Sequence, residues 1–277
     1  MGENQNSQYI IEVKNLTKSF GSKVVLDNIS LNIEKGKTTV IIGPSGCGKT
    51  VFVKHFIVLL RPSSGEVYFK GSRIDDLPEK QISGIRTHFG FLFQAGALFD
   101  SLSVAENILF PVRQDYGISE NSGADELVKS KLAMVGLDGF QDYFPAKLSG
   151  GQRKRVALAR AIALNPEVIL YDEPTTGLDP IRADVINELI LKLRRGLGVT
   201  SIVVTHDMTS AYKIADRIVM LHNGKIVADG DAEKIRNHPH PTVQQFINGQ
   251  VSEDDLAVLR MGGTVFETQY LPDDFKD

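Results

Sequence analysis

At 277 residues the chain has room for one large domain, or for a domain with a small appendage. Apolar residues make up 42% and charged residues 23%, an ordinary soluble composition, and a net charge of −3 argues against a general nucleic-acid binder. A lone cysteine, Cys47, excludes an intrachain disulfide. No apolar run approaches the roughly 18 residues of a membrane span, and the polar residues 1–8 lack the apolar core of a signal peptide. The chain is expected in the cytoplasm, with any membrane role exercised through a partner.

Ile10, Ile11 and Val13, then Val24, Val25 and Leu26, then Ile29, Leu31 and Ile33 suit strands, with turns at Gly21-Ser22 and Lys35-Gly36-Lys37. Residues 38–42 form a β-branched run that ends at Gly43, which predicts a buried strand feeding a glycine loop. The spacing predicts a helix over 49–60 and short strands at 67–69 and 89–93. From 103 to 165 the strand character is lost. Residues 125–135 and 152–164 have helical spacing, with Leu158 and Ile162 one turn apart. Strands return at 168–171, 201–205 and 217–221, separated by helical stretches at 181–195 and 209–215. Strands alternating with helices predict an α/β core with a largely parallel sheet and a helical insert.

After about residue 250 the composition turns acidic. Glu253, Asp254, Asp255, Glu267, Asp273, Asp274 and Asp277 stand against Arg260 and Lys276. Ser252 and Asp255 have the spacing of a capping box. This tail is too short for its own core, so it is expected either to stay mobile or to dock.

Gly43-Pro44-Ser45-Gly46-Cys47-Gly48-Lys49-Thr50 fits the phosphate-loop pattern G-x-x-x-x-G-K-[ST]. Its glycines let backbone N–H groups converge on phosphate oxygens, and the following helix directs its positive end at the same place. Lys49 is expected to reach the β- and γ-phosphates of ATP, and the Thr50 hydroxyl to ligate Mg²⁺. Val168-Ile169-Leu170-Tyr171-Asp172-Glu173 reads as a buried strand ending in two carboxylates. Asp172 is expected to hold Mg²⁺ through water, and Glu173 to act as general base on the attacking water. Together the two segments define a P-loop NTPase.

Leu148-Ser149-Gly150-Gly151-Gln152 matches the LSGGQ signature, and the chain thereby resembles the ABC ATPase family over roughly residues 9–240. The resemblance implies a P-loop core with a largely parallel sheet, an N-terminal antiparallel β subdomain and a helical insert at about 95–165. It places the ATPase domain at 9–249, between a polar segment (1–8) and the acidic tail (250–277). It further implies that Ser149, Gly150, Gly151 and Gln152 contact ATP held on a second copy, so that the working unit is a homodimer. Gln94, after the 89–93 strand, matches the Q-loop glutamine that contacts the metal. His206, after the 201–205 strand, matches the switch histidine at the γ-phosphate. Asp179 fits the interface-crossing D-loop, and Phe20 the aromatic residue stacked on adenine. Val51 follows the loop among the ATP-contacting positions. Taken singly, a glutamine or histidine after a strand, or a lone phenylalanine, has structural uses as well.

Several strings resemble the ATPases of MCE (Mla-type) lipid transporters: Gly48-Lys49-Thr50-Val51-Phe52, residues 85–90 and 93–99, the run Tyr171 to Pro180, and Gln245-Phe246-Ile247-Asn248-Gly249. That resemblance implies two copies under an MlaE-like permease, MCE-domain partners beyond it, a small STAS-domain subunit, and attachment at the cytoplasmic face of the inner membrane. Residues 95–110 would form the groove for the permease, or else pack beneath the helical insert. An importer of a polar solute such as an amino acid would share the ABC motifs without these strings. Cys47, inside the loop at a helix N-terminus, is expected either to carry a lowered thiol pKa and alkylate readily, or to fill space.

Overall fold

A computed structural model describes residues 8–94, 96–116 and 123–250. The chain separates into two compact units, one running to Ile235 and the other beginning at Arg236.

The first unit opens with a four-stranded antiparallel sheet ordered β2-β1-β4-β5, from β1 (Tyr9–Phe20), β2 (Lys23–Glu34), β4 (Ser64–Phe69) and β5 (Ser72–Arg73). The short strands expected between residues 10 and 33 are parts of one long hairpin. Its alternation is broken where Asn15 and Asn28 adopt φ 51°. There the Asn15 amide donates to Ser30 Oγ at 2.9 Å and the Asn28 amide to Thr17 Oγ1 at 3.1 Å. Hydroxyls thus replace ladder carbonyls, and the hairpin bends without orphaned donors.

The second sheet is ordered β10-β9-β3-β8-β7-β6. Its strands are β3 (Thr38–Ile42), β6 (Phe89–Leu92), β7 (Val168–Asp172), β8 (Thr200–Val204), β9 (Arg217–His222) and β10 (Lys225–Gly230). All pairs are parallel except β9 with β10, a hairpin the sequence reading did not anticipate. Every residue of β3, β7 and β8 is buried, which is why these strands read as continuous runs without alternation. Parallel order sends their C-terminal ends to one edge of the sheet, where open α/β folds bind ligands.

Helix α1 (Lys49–Phe56) stops four residues short of the expected end, because Val58 adopts φ 50°. Arg86, closing α2 (Glu79–Arg86), donates to the carbonyls of Ile57 and Val58 at 3.0 and 2.9 Å and so caps that end. Phe52 and Phe56 of α1 meet edge to face, 4.9 Å apart. They share one apolar cluster with Leu16, Leu26 and Ile33 of the hairpin and Ile41, Leu170 and Ile202 of the parallel sheet. Burial of each such side chain contributes about 1.5–3 kcal/mol, so the cluster joins both sheets firmly around α1.

Between β6 and β7 lie α3 (Val104–Tyr116), α4 (Ala124–Met134) and α5 (Gly150–Ala161). Helix α3 was not anticipated as such, yet Ser103-x-x-Glu106 announces it. The Ser103 amide donates to Glu106 Oε2 at 2.7 Å and the Glu106 amide to Ser103 Oγ at 3.2 Å, a reciprocal cap. After β7 come α6 (Pro180–Leu197) and α7 (Met208–Ile214), and beyond β10 lies α8 (Ala232–Arg236). Within the second unit, α9 (Pro241–Ile247) is tied by Gln244 Nε2, which donates at 2.9 Å to the carbonyls of Arg236 and His238. Ala95 and tail residues 251–277, including the expected Ser252 cap, lie outside the described residues. Among the described residues, no helix is long and apolar enough to cross a membrane.

Candidate nucleotide site

Strand β3 runs straight into the glycine loop. Gly43 has φ 146°, and a Cβ there would stand 2.1 Å from the Leu221 carbonyl oxygen, so glycine is required. Gly48, with φ 103°, precedes α1, and a Cβ there would meet Leu26 Cδ2 at 2.8 Å. Ser45 and Gly46 form the exposed crest, Pro44 is half-buried, and Val51 packs its side chain on the hydrophobic core. Lys49 is buried in the loop, its ammonium donating to the carbonyls of Gly43 at 2.7 Å and Pro44 at 2.9 Å. Cys47 differs from the lowered-pKa expectation. Burial pushes its thiol up, and the neighbouring Lys49 charge and backbone amides only partly oppose that.

At the ends of β7 and β8 the predicted chemical groups converge. Thr50 Oγ1 donates to the Asp172 carboxylate, 3.1 and 3.2 Å from its two oxygens. Burial raises the Asp172 carboxyl above its usual range, with the Thr50 hydrogen bond opposing. Glu173 follows with φ 50°, a left-handed conformation that is uncommon outside glycine. Its Oε2 lies 2.9 Å from His206 Nδ1 and accepts from Thr176 Oγ1 at 3.1 Å. Gln94 is exposed two residues beyond β6, whose last residue, Leu92, pairs with Tyr171 of β7. Phe20 sits at the tip of the antiparallel hairpin, 48% exposed, with the Lys18 ammonium 5.1 Å from its ring centre.

Two further predicted segments stand at helix N-termini. Ser149 caps α5: its Oγ accepts from the Gln152 amide at 3.3 Å, and its own amide donates to Gln152 Oε1 at 2.8 Å. Asp179 caps α6, accepting from the Arg182 amide at 2.9 Å. The two ends adjoin. A Cβ on Gly150 would lie 3.8 Å from Leu178 Cδ2, and one on Gly151 would lie 3.6 Å from Arg182 Cδ. The sequence reading missed Lys154, which donates to carbonyls of the Glu173 loop, and Thr176 within that loop, whose hydroxyl donates to Glu173 Oε2.

The donors converging at Thr50 and Asp172 are hard oxygens, which suit magnesium. Among the described residues, no group of three or more His, Cys, Asp or Glu side chains could hold a metal alone. Magnesium fits that sparse set, since it commonly takes one or two protein oxygens and completes its shell with phosphate and water.

A glycine-cradled phosphate loop facing a Thr–Asp pair, with a second carboxylate one residue on, defines a P-loop NTPase. The ABC transporter family profile matches residues 26–176, and the chain belongs to that family of ATP-binding, ATP-hydrolysing cassettes. It is 43% identical to the intermembrane phospholipid transport system ATP-binding protein MlaF of Haemophilus influenzae, over 88% of this chain and 92% of that protein. It is 42% identical to the probable ribonucleotide transport ATP-binding protein mkl of Mycobacterium leprae, over 87% of this chain and 69% of that one. The dimeric, post-hydrolysis structure of the ATP-binding cassette MJ0796 bound to ADP and Pi matches with TM-score 0.73 and 35% identity, over 80% of this chain and 98% of that one.

Proposed function

We propose that this chain is the ATPase subunit of a phospholipid transporter, working as a homodimer beneath an MlaE-like permease at the cytoplasmic face of the inner membrane. The observation that carries this reading is likeness to MlaF along 92% of its length, joined to an intact Lys49, Thr50, Asp172, Glu173 and His206 constellation. MCE-domain proteins and a small STAS-domain subunit are the further partners this reading implies. The ATPase domain is taken as 9–249 with its helical insert at about 95–165, and the acidic tail from 250 as an accessory segment.

In this mechanism the loop from Gly43 to Val51 binds the phosphates through its backbone N–H groups, Pro44 having none, and Phe20 stacks on adenine. Lys49 turns from its loop carbonyls to the β- and γ-phosphates. Thr50, Asp172 and Gln94 would hold Mg²⁺ when it is bound. Bound there, magnesium neutralises phosphate charge. Glu173 accepts the proton of the attacking water, and His206, already 2.9 Å from that carboxylate, orients it towards the γ-phosphate. Ser149, Gly150, Gly151, Gln152 and Asp179 of one copy complete the nucleotide site of the other. Hydrolysis then removes the link between the copies, and the dimer opens.

Glu173→Gln is the direct test. Turnover should fall by about 10²–10⁴-fold while ATP binding is retained, and the variant should elute as a dimer in MgATP. Parental turnover in that variant would refute the base assignment. The name of the mycobacterial relative raises a polar cargo instead. Reconstitution with the cognate permease separates the two, because ATP-dependent transfer of a labelled phospholipid is expected and ribonucleotide uptake without it would overturn the lipid reading.

A further inference from the structure

The basic side chains of α5 are spent on main-chain carbonyls of neighbouring loops. Arg155 donates to Val135 and Gly136, and Arg160 to Gly96 and Ala97. Lys154 reaches the loop that carries Glu173. Its ammonium lies 2.7 Å from the Pro174 oxygen, 2.8 Å from that of Thr176 and 3.3 Å from that of Glu173. An ammonium has three donors, so these carbonyls use its whole capacity. The residue is only 7% exposed, and a cation so placed is costly unless its hydrogen bonds are satisfied.

The segment it grips is one that would not hold its shape alone. Glu173 has φ 50° and Gly177 φ 78°, two left-handed residues within five positions. A non-glycine residue in that region persists only where its surroundings over-determine it. Three carbonyls converging on one buried ammonium, together with the Glu173 amide donating to Val204 at 2.9 Å, supply that determination.

We propose that Lys154 is a positioning residue that holds Glu173 in its left-handed conformation and ties the Glu173 loop to the helix opening at Ser149. The proposal rests on the reading of Glu173 as general base. Lys154 lies five residues into α5 from its Ser149 cap, about 7.5 Å along the axis at the usual helical rise. Movement of the first turn of α5 therefore reaches the Glu173 loop through three hydrogen bonds, one of them to the Glu173 carbonyl. The hydrogen bonds of Lys154 go to the Glu173 loop and not to residues 43–50, so ATP binding should not depend on it.

The experiment compares ATPase kinetics and ATP affinity of the full-length parent with Lys154→Met, Lys154→Arg, Glu173→Gln and the pair Lys154→Met with Glu173→Gln. Lys154→Met should lose about 10- to 100-fold in kcat, the usual consequence of misplacing a reacting group, with ATP affinity within about twofold. Lys154→Arg, which keeps the charge and the donors on a larger planar group, should retain more kcat than Lys154→Met. In the Glu173→Gln background, Lys154→Met should cost less than about twofold more, because the group it positions is already gone. Additive losses in the pair, parental kcat in Lys154→Met, or a matching loss of ATP affinity would each overturn the proposal. If Lys154→Met fails to fold, Lys154→Gln, which keeps two amide donors, takes its place under the same criteria. A parental rate in Glu173→Gln would instead sink the base assignment, whatever Lys154 does.

Discussion

Cys47 and Glu173 show how neighbours override a local rule. A thiol ahead of a helix commonly ionises early, yet the Cys47 sulfur is half-buried between the loop and the core, and desolvation of the thiolate outweighs the nearby Lys49 charge. Maleimide labelling of Cys47 should therefore be slow at pH 7 and accelerate only above the ordinary thiol range, and MgATP should slow it further. Rapid labelling at pH 7, equal to that of a free thiol peptide, would contradict this account. Glu173 carries backbone strain of about 1–3 kcal/mol, which sets its carboxylate beside His206 rather than in line with Asp172.

Helix α5 starts with a reciprocal cap and continues with a row of cations bound to loop carbonyls. Ser149 thus has a structural role within its own chain besides the one proposed across the dimer. Ser149→Ala should remove about 1 kcal/mol of cap energy, a fall in Tm of about 2–4 °C for a domain of this size, and should lower ATPase activity as well. Ser149→Asp separates the two roles: it caps a helix well but sets a carboxylate where a phosphate is proposed to bind. Calorimetry should show its stability restored, with turnover staying low. Recovery of both would argue against a phosphate contact.

For the molecule as a whole, one source of acid sensitivity is a buried imidazole. His55 is fully buried in α1, its Nδ1 2.8 Å from the Val51 oxygen and its Nε2 without a hydrogen-bond partner. Burial pushes its ionisation below the ordinary imidazole range. The unfolded chain therefore takes up the proton first, so this contribution to stability is complete above about pH 6.5 and declines as the pH falls from there towards the folded value. Urea titrations at several pH values should show the stability gap between the parent and His55→Gln narrowing from pH 8 to pH 5. A gap independent of pH would exclude His55 as the source.

The phosphate loop, the Asp172–Glu173 pair, the Ser149 cap and the alternating α/β order were all legible beforehand, because each is encoded in contiguous residues whose backbone demands are local. Gly43 adopts a φ that favours glycine, and the buried run 168–170 is apolar throughout. The hairpin bends at Asn15 and Asn28, the early stop of α1 at Val58 and the raised thiol of Cys47 were not legible, since they arise from contacts made only after folding. Lys154 is the plainest case. It sits in an Arg-Lys-Arg run that reads as a solvated face, and its partners are main-chain carbonyls 19 to 22 residues away. A carbonyl oxygen is the same on every residue, so nothing in the order of side chains marks which ones will converge; the placement of α5 beside the loop that follows β7 makes that choice.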